Sequence, residues 1–180
     1  MIRLYKILLA FFIISLFLSI SCQRRSENDK QISLRETKET LRDINRALVD
    51  KDRELIEAYI ERHQLQGMKD NGSGLFYLIV GDTLDTKVKE GSVVVYNYSV
   101  SLMDGSICYT SQKEKPKEFL IGYGGVESGL EMAMQLMYKG QKGKFILPPH
   151  LAHGLLGDND KIPPRSIIVY DVHLLNVIDK

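Results

Sequence analysis

The stretch IPPRSIIVYDVHLLNV, Ile162 to Val177, opens on two prolines and then alternates. Ile168, Tyr170, Val172 and Leu174 fall on one side of an extended segment, and Asp171 and His173 fall on the other. A period of two marks a strand with one side on a core. Working back, KGKFILPP (142–149) is a second strand, closed by Pro148-Pro149, which cannot continue a ladder. VESGLEMAMQLM (126–137) is apolar on most faces and long enough for a buried helix. EFLIG (118–122) and GLFYLIVG (74–81) are short strands. SVVVYNYSVSLMDG (92–105) is a long one whose Val94, Tyr96, Tyr98, Val100 and Leu102 share a face, ending in the hairpin signal Asp104-Gly105. The sum is α+β: an antiparallel sheet with one central helix.

The first 66 residues read differently. MIRLYKILLAFFIISLFLSISC carries Arg3 and Lys6, an apolar run from Ile7 to Leu18, then small residues before Cys22. Order and size predict a signal peptide over 1–21; the run is shorter than the roughly 20 residues a membrane span needs. The small residue before Cys22 resembles a bacterial lipoprotein box, which implies lipidation at Cys22, although Ser19 stands where a leucine is usual. Removing Arg3 and Lys6 leaves 22 basic against 23 acidic residues, a net charge of −1. No basic surface for nucleic acid is implied. QRRSENDKQ (23–31) is too polar to order itself, so 22–32 reads as a lipidated tether. Residues 33–66 contain a helical arm without Gly or Pro until Gln66, opened by Ser33 and Glu36 in capping-box spacing. Leu34, Leu41, Leu48 and Leu55 recur every seven residues, but Thr37 and Lys51 interrupt the companion row. Docking of one stripe on the chain's own domain is therefore favoured, and a homodimer through the arm stays open. GMKDNGSG (67–74) reads as a flexible joint, placing a joint and first strand at 67–90 and the main domain at 91–180.

Over about Gly91 to Val177 the residues resemble the FKBP-type peptidyl-prolyl cis-trans isomerases. VVVYNYSVSLMDG is similar to the family's opening strand and turn, EFLIGYGGVESGLEMAMQLMYKGQKGKFILPPHLAHG to its strand, helix and following strand, and IPPRSIIVYDVHLL to its closing signature. The resemblance implies a five- to six-stranded antiparallel half-barrel wrapped on a short helix, with substrate proline in an aromatic hollow between them. By that resemblance the catalytic hollow is formed by Tyr98, Val126, Leu130, His153, Ile162 and Tyr170, with Cys108, Tyr109, Lys117 and Glu127 as substrate-binding positions. Six of these depart from the family pattern. Leu130 replaces a frequent Trp, Cys108-Tyr109 a Phe-Asp pair, Lys117 an aromatic, Glu127 an aliphatic residue and His153 a tyrosine that donates to ligands.

The expected function is a peptidyl-prolyl isomerase and folding helper for proline-containing segments. It would be lipid-anchored in a bacterial envelope and face the periplasm, with the outer membrane favoured over the inner by Gln23. The alternative is an FKBP-like binding module with little or no turnover. The reaction needs no cofactor. His150 and His153 lack the Cys or carboxylate companions of a metal site, and GYGG (122–125) lacks the third glycine of a dinucleotide fingerprint.

Overall fold

A computed structural model describes residues 35–111 and 115–179. The signal peptide, the tether, Cys22, Ser33 and Leu34 lie outside the described residues. Helix α1 spans 35–62, and the chain divides into two compact units between Leu48 and Val49. In the first unit, residues 35–48 are helical, with Leu41 54% and Ile44 51% exposed.

In the second unit seven antiparallel strands form one sheet. They are β1 (Lys69–Asp70), β2 (Phe76–Val80), β3 (Val93–Leu102), β4 (Ile107–Thr110), β5 (Lys117–Leu120), β6 (Lys142–Leu147) and β7 (Ile168–Ile178). Their order is β1-β2-β6-β7-β3-β4, with β5 also pairing β3. The long pairing of β3 with β7, from Val93 opposite Ile178 to Leu102 opposite Ile168, carries one bulge at Val95/Tyr96. Five or six strands were expected; the two-residue β1 makes the seventh.

β1 sits inside the segment expected as a flexible joint. Asp70 accepts from the Gly72 N–H at 2.8 Å and pairs with Arg53 at 2.5 Å, and Asn71 accepts from the Ser73 N–H. These side-chain bonds close a turn that glycine content alone would leave open.

One face of the sheet holds helix α2 (Ser128–Gln135). Its Leu130, Ala133 and Met134, with Met137 beyond its end, join Val94, Tyr96, Val100, Phe145, Leu147, Tyr170 and Leu174 in the main core. Gly129 is where helix and sheet come closest. A Cβ there would lie 2.6 Å from Leu147 Cδ2 and 2.7 Å from the Leu151 carbonyl oxygen, so this approach outweighs glycine's helix cost of about 1 kcal/mol.

The other face is covered at one end by the last turns of α1. Ile56 and Tyr59 pack there with Phe76, Ile146, Ile167 and Val169. Arg165 reaches Asp52 at 2.7 Å, and the Arg53 guanidinium lies 5.5 Å from the centre of the Phe76 ring. Leu55, from the seven-residue row, is instead half-exposed. The helix therefore docks through Ile56 and Tyr59, one position round from the leucine row.

Candidate active site

The strand period builds the site. On β3 and β7, Tyr98 stands opposite Val172 and Val100 opposite Tyr170, so the rings of Tyr98 and Tyr170 are diagonal neighbours on the helix-bearing face. Their centroids are 6.0 Å apart, and Tyr98 lies 5.6 Å from Tyr96. Phe119 of β5 meets Tyr96 edge-on at 5.7 Å and 86°. Together with Leu130 and Val126 at the start of α2, these rings enclose a hollow of about 670 Å³, with Tyr109, Lys117, Glu118 and His153 completing its lining. Leu130 is 2% exposed and Tyr170 4%, so floor and wall are dry.

Of the two acidic residues that line this hollow, Glu118 is exposed and Glu127 is half-buried. Glu127 precedes the first residue of α2 with an extended backbone, where a side chain ordinarily caps the helix N–H groups, yet it makes no cap bond. Its Oε1 accepts instead from the Tyr170 hydroxyl at 3.1 Å and lies 2.8 Å from His153 Nε2. That second approach is close but out of line for a hydrogen bond. Burial, then the charge of Glu127, pushes the Tyr170 and Tyr98 hydroxyls up. Burial pushes Tyr96 up as well, with Tyr98 and Glu127 adding to it. All three rings therefore stay neutral and hold their protons.

A second network fixes the loop at the rim. The Tyr109 hydroxyl donates to Asp158 and, at 3.1 Å, to Asp160, with Lys161 Nζ 5.2 Å above its ring. Asp158 also accepts from the N–H groups of Asp160 at 2.9 Å and Ile162 at 2.8 Å. Burial would raise the Asp158 carboxyl, but these bonds outweigh it and hold it down to about 2. The loop turns at Gly157, whose φ is +72° and where a Cβ would meet the Ile162 carbonyl oxygen at 2.2 Å; only glycine fits.

Of the residues expected at the site, Tyr98, Tyr109, Lys117, Val126, Glu127, Leu130, His153 and Tyr170 are brought together around the hollow. Cys108 and Ile162 are placed elsewhere. Both are buried in the main core, and the Cys108 thiol points to the Lys161 carbonyl at 3.5 Å, since alternation along β4 turns Cys108 inward when Tyr109 faces the hollow's rim. Cys22 lies outside the described residues. Sequence reasoning missed Tyr96, Val100 and Phe119 as lining residues. The signal was present: Tyr96 and Val100 share the face of Tyr98, and Phe119 stands two residues past Lys117. A separate groove of about 460 Å³ crosses the opposite face, walled by Asn97, Ser99, Lys142, Lys144, Asp171 and His173 among others. Tyr98 is the only Tyr or Phe among its lining residues, and the groove has none of the stacked rings of the hollow.

The family model described as FKBP-type peptidyl-prolyl cis-trans isomerase matches residues 85–175. The chain belongs to this family. FK506-binding protein 2 of Dictyostelium discoideum is 35% identical over 97 residues, covering 53% of this FKBP-type chain and 73% of that protein. Peptidyl-prolyl cis-trans isomerase FKBP9 of Rattus norvegicus is 33% identical over 91 residues, 50% of this chain but only 16% of the relative's length. Among crystal structures, FkpA from Escherichia coli matches with TM-score 0.59 and 30% identity, covering 83% of this chain and 71% of that one. A peptidyl-prolyl cis-trans isomerase from Pseudomonas syringae matches with TM-score 0.63 and 25% identity, covering 74% of this chain and 95% of its own. The hollow thus lies within the family-matched segment, and the whole of α1 lies outside it.

Proposed function

We propose that the chain isomerises X-Pro bonds in polypeptide segments that enter the aromatic hollow. One observation carries this reading: Tyr98, Tyr170, Tyr96 and Phe119 surround a dry floor at Leu130 and Val126. Rotation about an X-Pro bond must cross a barrier of roughly 18–20 kcal/mol set by amide resonance, while cis and trans differ by only about 0.5–1 kcal/mol. No covalent bond breaks, so no nucleophile is required. Resonance separates charge between imide oxygen and nitrogen, and water favours that separation. An apolar wall removes the water and so favours the twisted, less polarised imide. The N–H of Glu127 is a candidate donor to a flanking carbonyl.

The test is whether the purified full-length chain, in mild detergent, accelerates a proline-limited refolding reaction that otherwise takes tens of seconds. Acceleration above the uncatalysed rate is expected. If neither wild type nor variants with a more apolar hollow accelerate it, the binding-module reading replaces this one; the carboxylate inside the hollow is the observation that favours that alternative.

The proposed setting is a bacterial envelope, with the chain held by lipid on Cys22 and acting on proteins that fold there. The charged n-region, the short apolar run and the small residues before Cys22 support it. Acyl chains contribute about 0.8 kcal/mol per buried CH₂, so Cys22→Ser should release the protein from the membrane fraction or stall its processing. Retention with normal processing would sink the anchor. Exposed Leu41 and Ile44 support pairing of two copies through the arm. Light scattering that gives a monomer mass would remove that proposal.

A further inference from the structure

Glu127 turns its carboxylate to the wall of the hollow, where the neighbouring His153 nitrogen is close but makes no hydrogen bond. At the start of α2 it has helix N–H groups within easy reach and leaves them uncapped. Both of its polar contacts are made by Oε1: one hydrogen bond from Tyr170, and one close approach of His153 Nε2 that is not a hydrogen bond. A carboxylate offers about four acceptor sites across its two oxygens. Oε2 is therefore left open to solvent or a ligand, in a side chain only 16% exposed.

The neighbouring charges do not neutralise it. Lys117 and Glu118 on β5 offset each other at the lining. Around Tyr109, Asp158 and Asp160 outnumber Lys161. Besides His153, the hollow and its rim carry four carboxylates against two ammonium groups. The charge of Glu127 also bears on Tyr96, Tyr98 and Tyr170, so it acts across the whole wall rather than at one corner. A partly desolvated negative charge beside aromatic faces suits a cationic side chain, whose stem lies along the rings while its head meets the carboxylate.

We infer that Glu127 is a specificity-determining residue that selects prolyl segments carrying lysine or arginine beside the proline. The inference rests on the reading of the hollow as the proline site. A segment that seats its proline between Leu130 and Tyr170 brings the flanking side chains close to Glu127, because the Tyr170 hydroxyl itself bonds that carboxylate. Arginine can engage both oxygens of Glu127 with its planar fork, and lysine one.

The test compares X-Pro peptides with Lys, Arg, Leu or Glu placed before the proline, and a second set with these residues after it. Both kcat/KM for isomerisation and Kd by fluorescence anisotropy are measured on the full-length chain and on Glu127→Gln. A partly exposed ion pair contributes up to about 1 kcal/mol, so the basic peptides should exceed the leucine peptide about fivefold in at least one set. The Glu peptide should rank last. In Glu127→Gln the ratio of basic to leucine peptide should fall towards one; if that variant does not fold, Glu127→Asp, which keeps the charge and shortens its reach, should reduce the ratio. Equal or reversed ranking in wild type overturns the inference, as does a ranking that survives in the variant. Leucine peptides turned over as fast as basic ones would leave the isomerase reading standing and remove only this one. Selective binding of basic peptides without turnover would do the opposite, and no binding of any peptide would end both.

Discussion

The two faces of the sheet are made by the same strands and are opposite in chemistry. On β7, Tyr170 and Val172 face α2, while Asp171 and His173 face the groove behind. On β3, Tyr96 and Tyr98 stand on the first face and Asn97 and Ser99 border the second. The helix-bearing face offers stacked rings over the buried Leu130, although Lys117, Glu118, Glu127 and His153 also reach its hollow. The groove offers Lys144, paired with Asp171 at 2.6 Å, along with amide, hydroxyl and aliphatic groups, and no cluster of rings. Two concavities thus differ in aromatic lining, and only one of them gives a proline ring a wall of aromatic faces. The lesson is that the stacked rings, rather than volume, identify the site.

The largest break in this comparison should come from Tyr170→Ala. Removing a ring that is 4% exposed opens a cavity in both core and hollow, at about 3–5 kcal/mol by analogy with other buried aromatic truncations. Asp171→Ala, the adjacent residue on the other face, breaks an ion pair whose carboxylate side chain is 53% exposed. It should change stability by less than about 1 kcal/mol and leave turnover intact. Denaturant midpoints and the refolding assay on both variants decide this. Equal losses would mean that the faces are not separable.

A smaller effect tests whether the charge in the hollow is tied to its wall. Glu127→Ile makes the hollow more apolar but strands the Tyr170 hydroxyl, a buried donor whose loss of partner costs about 1–3 kcal/mol. In a Tyr170→Phe background that donor is gone, so the same Glu127→Ile substitution should be milder by about 1 kcal/mol or more. The double variant should also raise kcat/KM on a leucine-flanked peptide about tenfold, equivalent to ~1.4 kcal/mol at the transition state. A double-mutant cycle in unfolding free energy measures the coupling. Strict additivity would show that the Glu127–Tyr170 contact carries no energy.

How much of this was legible in the sequence depends on distance along the chain. The sheet and its buried helix were readable because alternation at period two and the all-round apolar run at 126–137 are local signals. The rings of the hollow followed from the same alternation, and Tyr96 and Val100 were missed only because attention went to positions that match the family. Cys108 shows the limit of matching by position. Alternation along β4 turns its thiol into the core, and Phe119 of β5 contributes an aromatic edge to the hollow. The helical arm shows another limit. Its leucine row is a strong pattern, but periodicity cannot say which stripe finds a partner, and the residues that dock are Ile56 and Tyr59. Contacts such as Tyr109 with Asp158, 49 residues apart, leave no periodic trace at all. The direction of Glu127 was hidden for a related reason: its position before a helix predicts a cap, and only the tertiary placement of Tyr170 and His153 gives the carboxylate somewhere else to go.

The smallest expected effect concerns that loop and sharpens the comparison at its rim. Asp158 holds β4 to the segment that leads into β7, through the Tyr109 hydroxyl and two backbone N–H groups. Its carboxyl is held down to about 2, against an ordinary 3.8, because those donors favour the ionised form more than burial opposes it. A group with a depressed folded value stabilises the fold at pH above its ordinary value, and that contribution is lost as pH falls from about 4 through about 2. Asp158→Asn cannot titrate, so its stability deficit relative to wild type should be constant from pH 7 to about 5, then shrink between pH 4 and 2. Tyr109→Phe removes one donor and lets the carboxyl rise towards its ordinary value, so the loss on acidification should be smaller and be complete at a higher pH. The carboxyl can be followed directly by NMR titration, and stability by urea midpoints at each pH. The solvent near Asp158 screens these bonds, so the change should be modest beside that of Tyr170→Ala. A deficit for Asp158→Asn that is the same at pH 2 as at pH 7 would show that the ionised carboxylate does not hold the loop. The rim would then be fixed by the backbone turn at Gly157 alone.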